Sequence, residues 1–252
     1  FRQALGLDGG VGRHLFQLWQ TVEVRTRIAV VLCSLALAAP AENSLTRAEK
    51  REGFIRLFDG KSLALWHSVK QRPDAGSWRI VKKALTWDRG GSWLATDETY
   101  YDFLLKLEYR TGEKSNSGIF LRARPEGDPA FSGMELQIAS DDGRPPGPRS
   151  TGALYGAAAP SKNMARPTGE WNQVEVSLIG RRLSVVWNGE KIHDLDLDDP
   201  QYAKAQERPL ADRAPFGHVG LQAYSSGAPV EFRNLRIKAI KIGPPFVFDN
   251  KR

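Results

Sequence analysis

The chain is poor in cysteine, histidine and methionine, with one, four and two of them in 252 residues, and almost no stretch carries a helical period of useful length. The single cysteine, Cys33, excludes a disulfide framework. Long apolar runs are also missing. The longest, from Ile28 to Ala39, is too short to span a bilayer comfortably. Basic and acidic residues are interspersed without a long basic run, so the net charge of +7 reads as solubility rather than nucleic-acid binding. No P-loop, dinucleotide-binding glycine pattern, GxSxG or HExxH occurs, which leaves nucleotide cofactors, hydride transfer, serine hydrolysis and zinc proteolysis without support.

What is present suits short strands and tight turns: 24 glycines, 15 prolines and 7 tryptophans. Residues 1–24 begin with Phe and lack a period, as an upstream leader would. Arg25 and Arg27 then precede the apolar run, and Ala39-Pro40-Ala41 supplies the small residues a signal peptidase reads. Residues 25–41 are therefore expected to be a signal peptide cleaved near Ala41, placing the mature chain in the periplasm or outside the cell. That cut would remove Cys33, four basic and two acidic residues, leaving a net charge of +5. Residues 42–52 read as a polar lead-in and 242–252 as a tail.

Strand patterns follow in quick succession: GFIRLFDGKSLALW, with an Asp59-Gly60 turn between two short strands, then SWRIVKKALTW, SWLATD and FLLKLEYR. Later come WNQVEVSLIG, RRLSVVWNGEKI, HVGLQAY and VEFRNLRIKAI. One short helix is expected around Pro200–Arg208, and Asn188-Gly189 marks a type I′ hairpin, since both residues tolerate positive φ. Many antiparallel strands at close spacing predict an all-β chain of two sheets packed face to face. GRPPGPRSTG, from Gly143 to Gly152, is too proline-rich for a strand and is expected to form an ordered loop over one sheet face.

The stretch from Asn116 to Ile138 organises the rest. IFLRAR and MELQI alternate with a period of two, so Ile119, Leu121 and Ala123 are expected to face one way with Met134, Leu136 and Ile138. Phe120, Arg122, Arg124, Glu135 and Gln137 take the opposite face, which is either an ordinary solvated surface or a polar site for a sugar-sized ligand. Asp194, Asp196, Asp198 and Asp199 alternate with Leu195 and Leu197 as on an outer strand face and lack EF-hand spacing.

On GFIRLFDGKSLALW, YYDFLLKLEYR, NSGIFLR, GMELQI, TGALYG, GEWNQVEV, WNGEKI, GHVGLQ and VEFRNLRIKAI, in that order, residues 53–241 resemble the 3-keto-disaccharide hydrolase family. The resemblance implies a concanavalin A-like jelly-roll β-sandwich and cleavage of 3-keto-glycosides by β-elimination followed by hydration. A ketone at C3 acidifies the C2 hydrogen, so the reaction needs a base, donors for the enolate oxygen and an acid for the leaving oxygen. Two paired carboxylates are not obligatory. It also implies an oxidoreductase partner that makes the ketone.

Glu135 is the candidate base, or a ligand to a divalent cation, with a buried ion pair to Arg122 as its structural alternative. Arg122 would stabilise the enolate or bridge to a carboxylate, and Tyr155 would act as acid and stack on the sugar or serve as a core aromatic. Gln137, Asn116, Glu108 and His218 are the candidate substrate-binding residues, against ordinary roles as an exposed amide, a turn cap, a charged sheet face and a satisfied histidine. One departure stands out. Relatives often follow Gly-Leu-Gln with Asp-His-Gly, whereas this chain has Ala223-Tyr224-Ser225-Ser226-Gly227, leaving His67 or His218 to replace the histidine. That departure keeps open a non-catalytic carbohydrate-binding module or a partner-binding laminin-G-like domain on the same sandwich.

Overall fold

The computed structural model describes residues 42–245. The expected leader, signal peptide and Cys33 lie outside the described residues, as does most of the expected tail. Among the described residues the chain is a jelly-roll β-sandwich of two antiparallel layers, and a single strand, β5 (Ser92–Arg110), runs through both. Its first half pairs with β2 (Trp66–Lys70) and β11 (Gly217–Ala223), and its second half with β8 (Trp171–Ile179) and β12 (Glu231–Ile242). SWLATD and FLLKLEYR are thus one strand.

The first layer continues from β8 through β9 (Arg182–Trp187) to β10 (Glu190–Asp196). On the other side of β5, β12 also pairs with β1 (Ile55–Arg56) and with β4 (Ala84–Trp87), itself joined to β3 (Trp78–Val81). The second layer runs from β2 through β5 and β11 to β6 (Asn116–Ala123) and β7 (Met134–Ala139). Between the layers, alternate residues of each strand meet: Leu105, Leu107, Val174, Val176 and Phe232 from one, Ile119, Leu121, Leu136, Ile138 and Leu221 from the other. Each such side chain contributes about 1.5–3 kcal/mol by leaving water.

The period-two reading of β6 and β7 holds as far as Leu121, with Ile119, Leu121, Met134, Leu136 and Ile138 in the core. It fails at Arg122. There the pairing of β11 with β6 slips, and Arg122 takes a φ of 53°, so the expected positions of Ala123 and Arg122 are exchanged. Ala123 joins a second apolar cluster, with Trp93, Ala95, Phe120 and Ala130, on the face turned away from the core. Asn188 (φ 50°) and Gly189 (φ 85°) make the expected hairpin turn.

The 42–52 segment is more than a polar lead-in. It holds α1 (Arg47–Glu52), started by a reciprocal capping box in which Thr46 accepts from the Glu49 backbone N–H and Glu49 accepts from that of Thr46. Glu49 and Asn43 then tie it to β12 through Arg236 and Asn234. The second short strand expected before Trp66 is absent, because β2 starts at Trp66, and the helix expected around Pro200–Arg208 is a single 3-10 turn, Pro200–Tyr202. No helix of the described residues is long and apolar enough to cross a membrane.

Candidate functional site

Glu135 sits on β7 directly opposite Phe120 on β6, facing away from the core, as the alternation predicts. It is only 2% exposed, and its Oε1 has no hydrogen-bond partner. Gly118 makes room for it: a Cβ there would lie 2.0 Å from Oε1. Burial, with a smaller contribution from the nearby Asp128 charge, pushes its pKa up from 4.5 to about 8. At neutral pH the group is therefore mostly a neutral acid, and its conjugate base is a stronger base than an ordinary carboxylate.

Glu135 is among the residues lining a pocket of about 250 Å³. Asn116, Gln137 and Gln222 reach it from β6, β7 and β11, and the Gln137 amide donates to Asn116 Oδ1 at 3.0 Å. Asp128 stands at one wall as the N-cap of a single helical turn, α2 (Pro129–Ser132), its Oδ1 accepting from the Ala130 backbone N–H at 2.9 Å. That turn presents Phe131. Opposite it, the proline-rich loop ends in a stretch hydrogen-bonded along the free edge of β7, where Gln137 N–H donates to Ala153 O and Tyr155 N–H to Glu135 O. Tyr155 is thereby brought to the pocket, its ring 6.2 Å from that of Phe131. Gln206, held by its backbone N–H on Gly156 O, and Tyr224 line the rim.

Glu135, Tyr155, Gln137 and Asn116 therefore converge, and three other expected site residues do not. Arg122 is sealed at 1% exposure with its guanidinium committed elsewhere: Nε donates to Tyr101 O, Nη1 to Gly180 O and Nη2 to Asp102 Oδ1. The β-bulge is the physical reason, for it carries the side chain away from the face it would share with Glu135. The alternative pairing of Glu135 with Arg122 falls with it. Glu108 lies on the first layer, accepting from Arg233 Nε at 2.8 Å. His218 is on the same sheet face as Gln222 but further along β11, where its Nδ1 meets Thr96 O at 2.6 Å. Its ring packs edge-on against His67 and Trp93, and neither histidine lines the Glu135 pocket.

Asp128, Phe131 and Gln206 come from loops and short turns, where no period in the sequence marks them. Of the carboxyls that could ligate a divalent cation, the pocket offers Glu135 and Asp128. No three His, Cys, Asp or Glu side chains converge among the described residues. Gly118→Ala is expected to force the Glu135 carboxyl out of its place, lowering stability by about 1–3 kcal/mol. Thermal unfolding beside an activity assay reads both consequences, and an unchanged midpoint would contradict this packing.

The site is thus a polar pocket on the outer face of one layer of a jelly-roll sandwich, with a buried carboxyl among its lining residues. The sequence model of the 3-keto-alpha-glucoside-1,2-lyase-like domain matches residues 53–238, and the chain belongs to that family. A curated relative, the 3-keto-disaccharide hydrolase of Bacteroides thetaiotaomicron, is 23% identical over 249 residues, covering 82% of this chain and 85% of its own. Two solved structures from Parabacteroides distasonis, provisionally titled glycosyl hydrolases, share the fold. One has a TM-score of 0.67 at 23% identity, covering 79% of this chain and 100% of the other. The second has a TM-score of 0.64 at 24% identity, covering 74% and 99%.

Proposed function

We propose that the protein is an exported enzyme that cleaves 3-keto-glycosides by elimination across C1 and C2, followed by addition of water. The observation that carries the reading is Glu135 Oε1, cut off from solvent and without a partner. Glu135 acts as the base. In its ionised form it takes the C2 proton, and the desolvated pocket that disfavours the charge favours the protonated product. The electron pair passes into the C3 carbonyl as the enolate, then returns to expel the C1 oxygen. Arg122 has no part in this scheme, so the amide donors of the pocket, foremost Asn116 whose own oxygen is occupied by Gln137, take its place beside the enolate. Tyr155, and Tyr224 at the rim, offer hydroxyls to the leaving oxygen.

The family match and the curated relative support the substrate class, and the segment preceding Ala41 supports export. Because the substrate must already carry a ketone, the enzyme works after an oxidoreductase that oxidises the sugar at C3. The test is incubation with a 3-keto-glucoside, following the released aglycone with and without a chelator. Release in both arms is expected. Release that the chelator abolishes would bring a cation into the mechanism, and tight sugar binding without release would make the protein a carbohydrate-binding module.

A further inference from the structure

We infer that Gln222 is a second anchoring residue of the Glu135 pocket, and that the two together select one uncharged, hydroxyl-bearing ring. The inference rests on the carbohydrate reading above. Gln222 Oε1 shares with Glu135 Oε1 a combination that folded proteins rarely leave in place: each is out of contact with water, lacks a hydrogen-bond partner and borders the same pocket. Both belong to rigid strands. Gln222 is on β11 and Glu135 on β7, with β6 between them contributing Gly118, which has no side chain to stand in the way. Once the two side-chain ends turn toward the pocket, a ligand supplying two hydroxyls would relieve both. A hydroxyl donates as well as accepts, so it satisfies either end of the Gln222 amide.

The size and charge of the pocket narrow the ligand further. Its volume of about 250 Å³ lies below the roughly 300–1,000 Å³ of sites for drug-sized molecules, so it holds one ring and leaves the rest of a glycoside outside. No lysine or arginine lines it, whereas Asp128 and Glu135 do. Arg213, behind Phe131, is committed to the backbone carbonyls of Ala130, Gly133, Gln206 and Arg208. Arg149 is exposed, its guanidinium 5.6 Å from the Tyr155 ring and donating to Gln206 Oε1 at 3.5 Å, and it is not among the lining residues. A ring bearing a carboxylate or phosphate would meet acidic groups and find no counter-charge within.

The experiment is calorimetric titration of the whole chain and of Gln222→Met, which keeps the length of the side chain and removes its polar end. The probes are methyl glucopyranoside and methyl glucopyranosiduronate at pH 7, neither of which carries the reactive ketone. The neutral glycoside is expected to bind at least tenfold more tightly than the uronate. Gln222→Met should weaken the neutral glycoside about tenfold while its melting temperature holds or rises, since an unpaired buried polar group has gone. Equal binding by the variant, equal or tighter binding of the uronate, or no binding of either probe would each overturn the inference. In the last case, continued turnover of a 3-keto-glucoside would leave the lyase reading standing. Neutral binding without any such turnover would support this pocket assignment and remove the lyase reading.

Discussion

Replacing Glu135 by glutamine is expected to lower kcat/KM for a 3-keto-glucoside by about 10²–10⁴-fold, the range general-base catalysis supplies, without loss of fold. The substitution preserves the shape of the protonated side chain over Gly118 and removes its ability to take a proton. Its effect on stability depends on pH in a direction opposite to that of most carboxylates. Between 4.5 and about 8 the folded protein keeps a proton on Glu135 that the unfolded chain releases, so wild-type stability falls as pH rises through that window and levels off above it. Glutamine has nothing to titrate. The variant should match the wild type near pH 4.5 and exceed it by about 3–5 kcal/mol above pH 8, as read by denaturant unfolding at the two ends. A difference that stayed flat across the window would mean that Glu135 is not buried as described.

Arg122→Ala should do the reverse, costing stability and sparing chemistry. Removing the guanidinium leaves the carbonyls of Tyr101 and Gly180 and the Asp102 carboxylate without their donor, and opens a cavity at a 1% exposed position. The combined loss is about 2–4 kcal/mol, reduced from the cost of breaking a fully buried ion pair because Asp102 is partly solvated. Activity per folded molecule is expected to stay within about twofold of the wild type, which the scheme requires of a residue outside the pocket. A hundredfold drop in kcat with an unchanged melting temperature would return Arg122 to the reacting centre.

The contrast between these two residues marks what could be read from the chain alone. Glu135 was legible because β7 keeps strict alternation, and the alternation fixes which face each side chain takes. Arg122 obeys the same local pattern, yet the bulge that diverts it arises from pairing with β11, about a hundred residues later. No local window contains that information. Glu108 looked like a free charged position for the same reason, since Arg233 reaches it from β12 at a sequence separation of 125.

The helix in the 42–52 segment is a different case, because its signal was there to be read: Thr46 followed three residues later by Glu49 is the capping-box pair. Asp128 also carried a readable cue, an N-cap residue directly before Pro129. What no local cue could give was its approach to Glu135, which depends on the excursion between β6 and β7 folding back over the sheet. Tyr155 likewise reaches the pocket only because its loop adds to the edge of β7. The sequence showed such a loop but not the edge to which it docks.

The proposed catalysis depends on a desolvated carboxyl that must lose its proton before it can work, and the pH dependence of kcat/KM on a 3-keto-glucoside tests that most directly. Of the other titratable groups at the pocket, Asp128 and the hydroxyls of Tyr155 and Tyr224, the Asp128 charge raises Glu135 further after burial has done most of the work. The rate should climb tenfold per pH unit below an apparent pKa of about 8 and flatten above it, and this limb should vanish from the residual activity of Glu135→Gln. A rate that is already level from pH 5 upward, or that falls through pH 8, would contradict the assignment of Glu135 as the base.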